Sequence, residues 1–228
     1  MMLNIKKTLK KFKFIRAIAL KLRSKSKRFA IFNFLNSKSV VLDFGANIGN
    51  VSQYLNDMFN CKIYCYEPDP NAYNFLKQRF EINPNIKTFN LAITNDGQEK
   101  KLYFHKESKP GGQISYSEAS SLLDKKENIS ENNFCNVKSI NIKELLNNFE
   151  YIDLIKIDIE GYEYEILPIL IENNQKIGKI ICELHGNPLV KNKATGKIKN
   201  QHLSKKYLEL VENLKNLNLY EKWFVEWD

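Results

Sequence analysis

The stretch Val40-Val41-Leu42-Asp43-Phe44-Gly45-Ala46-Asn47-Ile48-Gly49-Asn50 restricts the fold of this chain more than any other part of it. Three apolar residues lead into an acid and a loop with two glycines. Val51, Tyr54, Leu55, Met58 and Phe59 then recur at helical spacing, so the stretch reads as strand, tight turn and helix. Glycines permit a sharp turn and let a ligand lie against the backbone at the positive end of the following helix. A nucleotide-binding α/β domain begins this way, but so does a plain strand-to-helix connection, and the rest of the chain must decide between them.

Beyond this turn the chain keeps alternating. Strands are expected at Ser39 to Phe44, Cys61 to Tyr66, Ile86 to Leu91 closing on Ala92, Tyr151 to Gly161, Lys179 to His185 and Leu219 to Trp227. Helices are expected at Asn47 to Phe59, Asn71 to Phe80, Ile142 to Asn148, Tyr162 to Glu172 with a kink or early stop at Pro168, and Leu203 to Leu217. Lys101 to His105 reads as a hairpin strand and Val137 to Ile140 as a short one. Between them, 106–131 is polar, serine-rich and without period, the texture of a functional loop or lid. A second loop, rich in lysine, spans 186–202. The alternation argues for a doubly wound, mostly parallel α/β sheet of Rossmann-like type. In the usual arrangement another strand would come after Trp227.

The formal charge of +9 suggests nucleic acid until it is located along the chain. Residues 1–28 hold eleven Lys and Arg and no acid, which leaves 24 basic against 26 acidic residues in the body. Leu3, Ile5, Leu9, Phe12, Ile15 and Ile18 interleave with those lysines, so 1–36 reads as a basic amphipathic helical arm, its end at Phe29 to Leu35 docking on the sheet. Such an arm lies either on anionic lipid or an acidic partner, or simply along the domain. Lys11, Lys13 and Arg16 interrupt any signal-peptide core, and no apolar run reaches the length of a membrane span. Cys61, Cys65, Cys135 and Cys182 form no metal-binding pair, and reduced thiols in a cytoplasmic protein are expected.

In such a sheet the ligand sits beyond the carboxyl ends of the strands. Strand one brings Asp43, Gly45, Ala46, Asn47 and Gly49 there. Strand two brings Glu67 and Pro68, with Glu67 eighteen residues after Gly49, where an acid can take both hydroxyls of an adenosine ribose. Strand three brings Asn90 and Ala92. The turn lacks the Gly-x-Gly-x-x-Gly spacing of a dinucleotide site, and Asp43 sits poorly beside a pyrophosphate but suits an ammonium. That combination points to S-adenosylmethionine.

Asp158 and Glu160 end the fourth strand, while Glu183 and His185, two apart on a strand and hence on one face, end the fifth. Asp158, Glu183 and His185 could hold a divalent ion such as Fe, Mn or Mg through oxygen and nitrogen ligands, acidifying a bound hydroxyl. Alternatively His185 is a general base oriented by Asp158 or Glu183, with Glu160 as a further catalytic candidate. The third account is a charged cluster that merely closes the sheet. Lys156 is a salt-bridge partner of these acids or part of the site. His105 and His202 read as solvated, and Tyr220, Trp223, Phe224 and Trp227 as core or interface.

Asp43-x-Gly45-Ala46-Asn47-Ile48-Gly49, Glu67-Pro68-Asp69-Pro70, Ile155 to Glu163 and Cys182-Glu183-Leu184-His185, taken in order, resemble the motifs of the FkbM-type class I methyltransferases over about residues 38–186. The resemblance implies methyl transfer from S-adenosylmethionine to oxygen, commonly a sugar or polyketide hydroxyl, by a methyltransferase domain over 37–228. It also implies that Asp43, Gly45, Asn47 and Gly49 hold the methionine part and Glu67 the ribose. The acceptor expected is a sugar or nucleotide sugar of surface-polysaccharide synthesis, with cytoplasmic placement, peripheral to the membrane if the arm binds lipid. Two rival readings are an NAD-dependent sugar-modifying enzyme and a non-catalytic module attached to RNA or membrane through its arm.

Overall fold

A computed structural model describes residues 30–124, 126, 128–190 and 200–227. The basic arm up to residue 29 and the lysine-rich segment 191–199 lie outside the described residues. The central sheet comprises β1 (Val40–Phe44), β2 (Lys62–Tyr66), β3 (Ile86–Phe89), β8 (Ile152–Ile157), β9 (Ile177–Cys182) and β10 (Phe224–Glu226). Its order is β10-β9-β8-β1-β2-β3, and every pairing is parallel. The chain leaves β1 toward one edge and returns at β8 toward the other, so the order reverses between β1 and β8, where a crevice opens at the strands' carboxyl ends.

Period-two alternation sends each strand into two cores. Val41, Ile63, Cys65, Leu154 and Ile181 pack on one face with α1 (Asn50–Phe59) and α2 (Pro70–Phe80). Leu42, Phe44, Ile155, Ile157 and Ile180 pack on the opposite face, covered by α3 (Ile142–Leu146), α4 (Glu163–Glu172) and α5 (Ser204–Asn216). Phe32 and Leu35 bury in the core beside α1 and α2, Phe32 edge-on to Trp227. This is the docking expected at the end of the arm.

Local chemistry sets the helix starts. Asp69 caps α2 by accepting the Asn71 amide, with Pro70 in the first turn. α1 begins after Gly49, whose φ is 81° and where an added Cβ would meet the Phe80 ring at 2.4 Å. The expected stop at Pro168 does not occur, since α4 runs four residues past it to Glu172. The four cysteines are unbridged, and burial raises the Cys61 thiol to about 11.

Three expected boundaries are corrected. Ala92 does not close β3: Ala92–Thr94 is a separate strand, β4, paired with β7 (Ser139–Asn141). The loop expected over 106–131 ends early, because β6 (Ile129–Val137) runs antiparallel to β5 (Lys100–His105), leaving an excursion with one 3-10 turn at Ile114–Ala119. Alternation of polar residues along β6 disguised it as loop. β9 stops at Cys182 and the last strand is only Phe224–Glu226, so Glu183 and His185 lie beyond the ladder.

Asp43 and Lys156 are register partners across β1 and β8, with Lys156 Nζ 3.2 Å from Asp43 Oδ1. Asp43 Oδ2 accepts a 2.6 Å bond from Ser52 of α1. Asp43 is wholly buried and Lys156 nearly so. Burial alone would lower the ammonium's pKa, but Asp43 and Asp158 outweigh it and hold Lys156 above its usual range. Removing one partner of such a pair leaves an uncompensated charge in the core. Lys156→Met is therefore expected to cost about 3–5 kcal/mol in urea unfolding, and Asp43→Asn combined with it to recover much of that loss.

Candidate active site

The β1–α1 turn is held by its own neighbours. The Gly45 and Ala46 amides both donate to the Tyr66 carbonyl, at 3.0 and 3.1 Å. The Asn47 amide donates to Glu67 Oε2 at 2.7 Å, the Ile48 amide to the Asn47 side chain at 2.6 Å, and the Gly49 amide to the Ala46 carbonyl at 2.8 Å. A Cβ on Gly45, where φ is 74°, would lie 1.8 Å from the Asp158 carbonyl. Only glycine lets the ends of β1 and β8 approach this closely.

A cavity of about 620 Å³ opens over this junction. Of the residues expected to hold the methyl donor, Gly45, Ala46, Asn47, Glu67, Pro68 and Ala92 line it. Glu67 is 6% exposed, and each oxygen accepts one backbone amide, from Asn47 at 2.7 Å and Asp69 at 2.8 Å. Burial outweighs those bonds and raises its carboxyl to about 8.

The other three stand behind the wall. Asn90 donates to the carbonyls of Glu67 and Pro68, at 2.8 and 3.0 Å, and so fixes the loop after β2. Gly49 starts α1 and packs on Phe80. Asp43 does have an ammonium beside it, as its position inside strand one suggested, but the ammonium is that of Lys156. The expectation that Asp43 meets the donor directly is thereby corrected, and Lys156 is the member of the pair that reaches the cavity.

Across the cavity, Asp158, Glu160 and Glu183 line the wall. Asp158, Glu183 and His185 each turn a ligand-type atom to a common point, all within 4.8 Å of one another. Glu183 continues directly from β9, its amide bonded to the Ile157 carbonyl of β8, and His185 follows two residues on. Lys156 Nζ stands 3.7 Å from Asp158 Oδ2 and donates to the Gly45 carbonyl at 2.9 Å. It serves both as partner of the acids and as part of the wall. Glu160 adopts a positive φ of 57° and pairs with Lys126 and, at 3.3 Å, with His185 Nε2.

His185 is 5% exposed and does not itself line the cavity; Glu160 stands in front of it. Its Nδ1 lies 2.9 Å from Glu163 Oε1. Asp158, Glu183 and His185 carry the donor chemistry of a hard or borderline cation, two carboxylates and an imidazole, and so fit such an ion.

Sequence reasoning missed three participants. Glu163 lay within the Ile155 to Glu163 motif but was given no role of its own. Lys126 had no signal at all, being one lysine in a polar stretch. The serines of that stretch reach both halves of the site: Ser117 to Asn47 at 3.3 Å, Ser120 to Asp69 at 3.3 Å, and Ser121 to the Glu160 carbonyl at 2.7 Å. His105 is not simply solvated, since its ring stacks on Tyr116 with centroids 4.9 Å apart.

Comparison with known proteins adds a family. No curated protein matches the chain. Among solved structures it is similar to P. horikoshii TYW2 in complex with MeSAdo, at 22% identity and TM-score 0.26, over 29% of this chain and 26% of that one. It is similar to the FkbM methyltransferase from Methylobacillus flagellatus KT at 14% identity and TM-score 0.38, over 60% of this chain and 30% of that one. A fibrillarin/Nop5p complex aligns at 16% identity and TM-score 0.44, over 84% of this chain and 70% of that one. The chain thus spans under a third of the length of the first two. The model of the FkbM methyltransferase domain matches residues 43–217, well over half of the sequence. The chain belongs to the FkbM methyltransferase family, a family of S-adenosylmethionine-dependent class I enzymes.

Proposed function

We propose that the protein methylates a hydroxyl oxygen of a small carbohydrate-type acceptor, and that Asp158, Glu183 and His185 hold a divalent ion that readies the hydroxyl. The observation that supports this best is the convergence of those three ligand types within 4.8 Å of one another, two of them, Asp158 and Glu183, lining the same cavity as Glu67. The acceptor side also offers the amides of Asn128 and Asn200 beside its carboxylates, a set that suits a polyhydroxylated molecule.

S-adenosylmethionine supplies an electrophilic methyl group on a sulfonium. Glu67, once ionised, keeps one free lone-pair direction on each oxygen and accepts the two ribose hydroxyls there. Gly45, Ala46 and Asn47 give the floor against which the donor lies. An ion held by Asp158, Glu183 and His185 would lower the pKa of a hydroxyl bound to it, so that no strongly basic side chain would be required. The remaining acceleration comes from alignment of nucleophile and methyl group across the cavity. Surface-polysaccharide synthesis supplies acceptors of this class. Residues 1–28 are proposed to meet an anionic lipid surface or acidic partner without entering the chemistry.

S-adenosylhomocysteine is expected to bind in a calorimeter, and Glu67→Gln to weaken it about tenfold or more. The pH dependence comes from Glu67. Its carboxyl is raised to about 8 by burial, and only the anion offers a good acceptor on each oxygen for both ribose hydroxyls, so binding favours loss of the proton. Affinity should climb with pH and level off above about 8 in the parent but stay flat in Glu67→Gln. Binding of NADH in place of S-adenosylhomocysteine would refute the donor site. For the ion, turnover should fall on chelation and return with Mn²⁺ or Mg²⁺, and Asp158→Asn should lower bound metal; a chelated enzyme at full rate removes the metal from the proposal. A chain lacking residues 1–28 should still transfer methyl groups in solution, and loss of all activity would favour the attached binding module instead.

A further inference from the structure

Glu163 takes no part in that reaction, yet its side chain is 0% exposed. Its Oε1 lies 2.9 Å from His185 Nδ1 and accepts the Gly161 amide at 3.1 Å. Its Oε2 is buried with no hydrogen-bond partner. A carboxylate with one orphan oxygen in a protein interior is costly. The imidazole and the start of α4, where a negative charge is favoured, are what offset that cost here. The same loop is held from the other side, because the Tyr164 hydroxyl donates to the His185 carbonyl. His185 is therefore clamped by consecutive residues of α4, Glu163 on the ring and Tyr164 on the backbone.

Both ring nitrogens face a carboxylate, Nδ1 that of Glu163 at 2.9 Å and Nε2 that of Glu160 at 3.3 Å, but only the first contact is a hydrogen bond, and Glu160 is already answered by Lys126. An ionised carboxylate only accepts, so the hydrogen belongs on the nitrogen facing Glu163. We infer that Glu163 is a positioning residue that keeps the His185 hydrogen on Nδ1 and thereby turns Nε2, as the ligating nitrogen, toward Asp158, Glu160 and Glu183. A ring of the opposite tautomer would set its lone pair against Glu163 and point N–H at the proposed ion site. The carboxylate also adds electron density to the imidazole and so strengthens Nε2 as a ligand. The inference rests on the proposed role of His185 as an ion ligand, and its test separates the two.

The chain has three histidines, His105, His185 and His202, so a long-range ¹H–¹⁵N correlation spectrum of the full-length protein is readable, with His185 identified by the signals lost in His185→Gln. Hydrogen on Nδ1 of His185 is expected in the parent at about pH 8. Titration with Zn²⁺, a diamagnetic probe that accepts imidazole, should move Nε2 and leave hydrogen on Nδ1. Glu163→Gln should give a mixture of tautomers and a Zn²⁺ affinity lower by about 10–100-fold, and Glu163→Asp, which keeps the acceptor, should restore part of both. A bare Nδ1 in the parent, or unchanged His185 signals in Glu163→Gln, would overturn the inference. If Zn²⁺ leaves the parent's Nε2 unmoved, the ion site is lost, while the tautomer comparison still decides the role of Glu163.

Discussion

The buried ammonium of Lys156 ties together two paired strands, the turn that follows one of them and the mouth of the cavity. From β8 it meets Asp43 on β1, the Gly45 carbonyl at the start of the turn, and Asp158 at the mouth of the cavity. One cation thus sets the spacing of donor and acceptor walls. Neither charge of the Asp43–Lys156 pair is tolerable in the interior alone, so the two strands must come into register before either is stable. The crevice at the reversal of strand order depends on that register.

The wall formed around Asp158 and Glu183 shows the same logic with less symmetry. Asp158, Glu160, Glu163 and Glu183 crowd one corner, answered by Lys126, Lys156 and His185. Lys126 comes from the excursion between β5 and β6. The serines of that excursion tie it to Asn47, Asp69 and Glu160, so a polar segment without a core of its own is ordered by the two walls it spans. Substrate entry has to contend with those ties.

The fold was legible from the alternation of strand and helix, because a buried parallel strand is an apolar run and an amphipathic helix has its own period. The members of the site at strand ends were legible for the same reason: Gly45, Glu67, Asp158 and Glu183 each come after a run that fixes their place. What escaped depends on partners distant in sequence. Asp43 advertised an ammonium but not whose it was. His185 stands two residues after Glu183, and its carbonyl is held by the Tyr164 hydroxyl, a partner no spacing announces. Glu163 stood in a motif with nothing to mark its partner, and Lys126 belongs to a segment whose order comes from contacts rather than period. β6 was hidden because a strand with exposed polar residues lacks an apolar signature.

The five amides of the β1–α1 turn return to the protein itself. Gly45 and Ala46 donate to Tyr66, Asn47 to Glu67, Ile48 to the side chain of Asn47, and Gly49 to Ala46. Phosphate-gripping turns work the opposite way, aiming free N–H groups outward at the anion. This turn is saturated. A pyrophosphate laid on it would find none of these backbone N–H groups free to meet its negative charge. What this turn offers a ligand is a floor of backbone already bonded to itself, in keeping with a family whose donor carries a positive charge on sulfur and no phosphate.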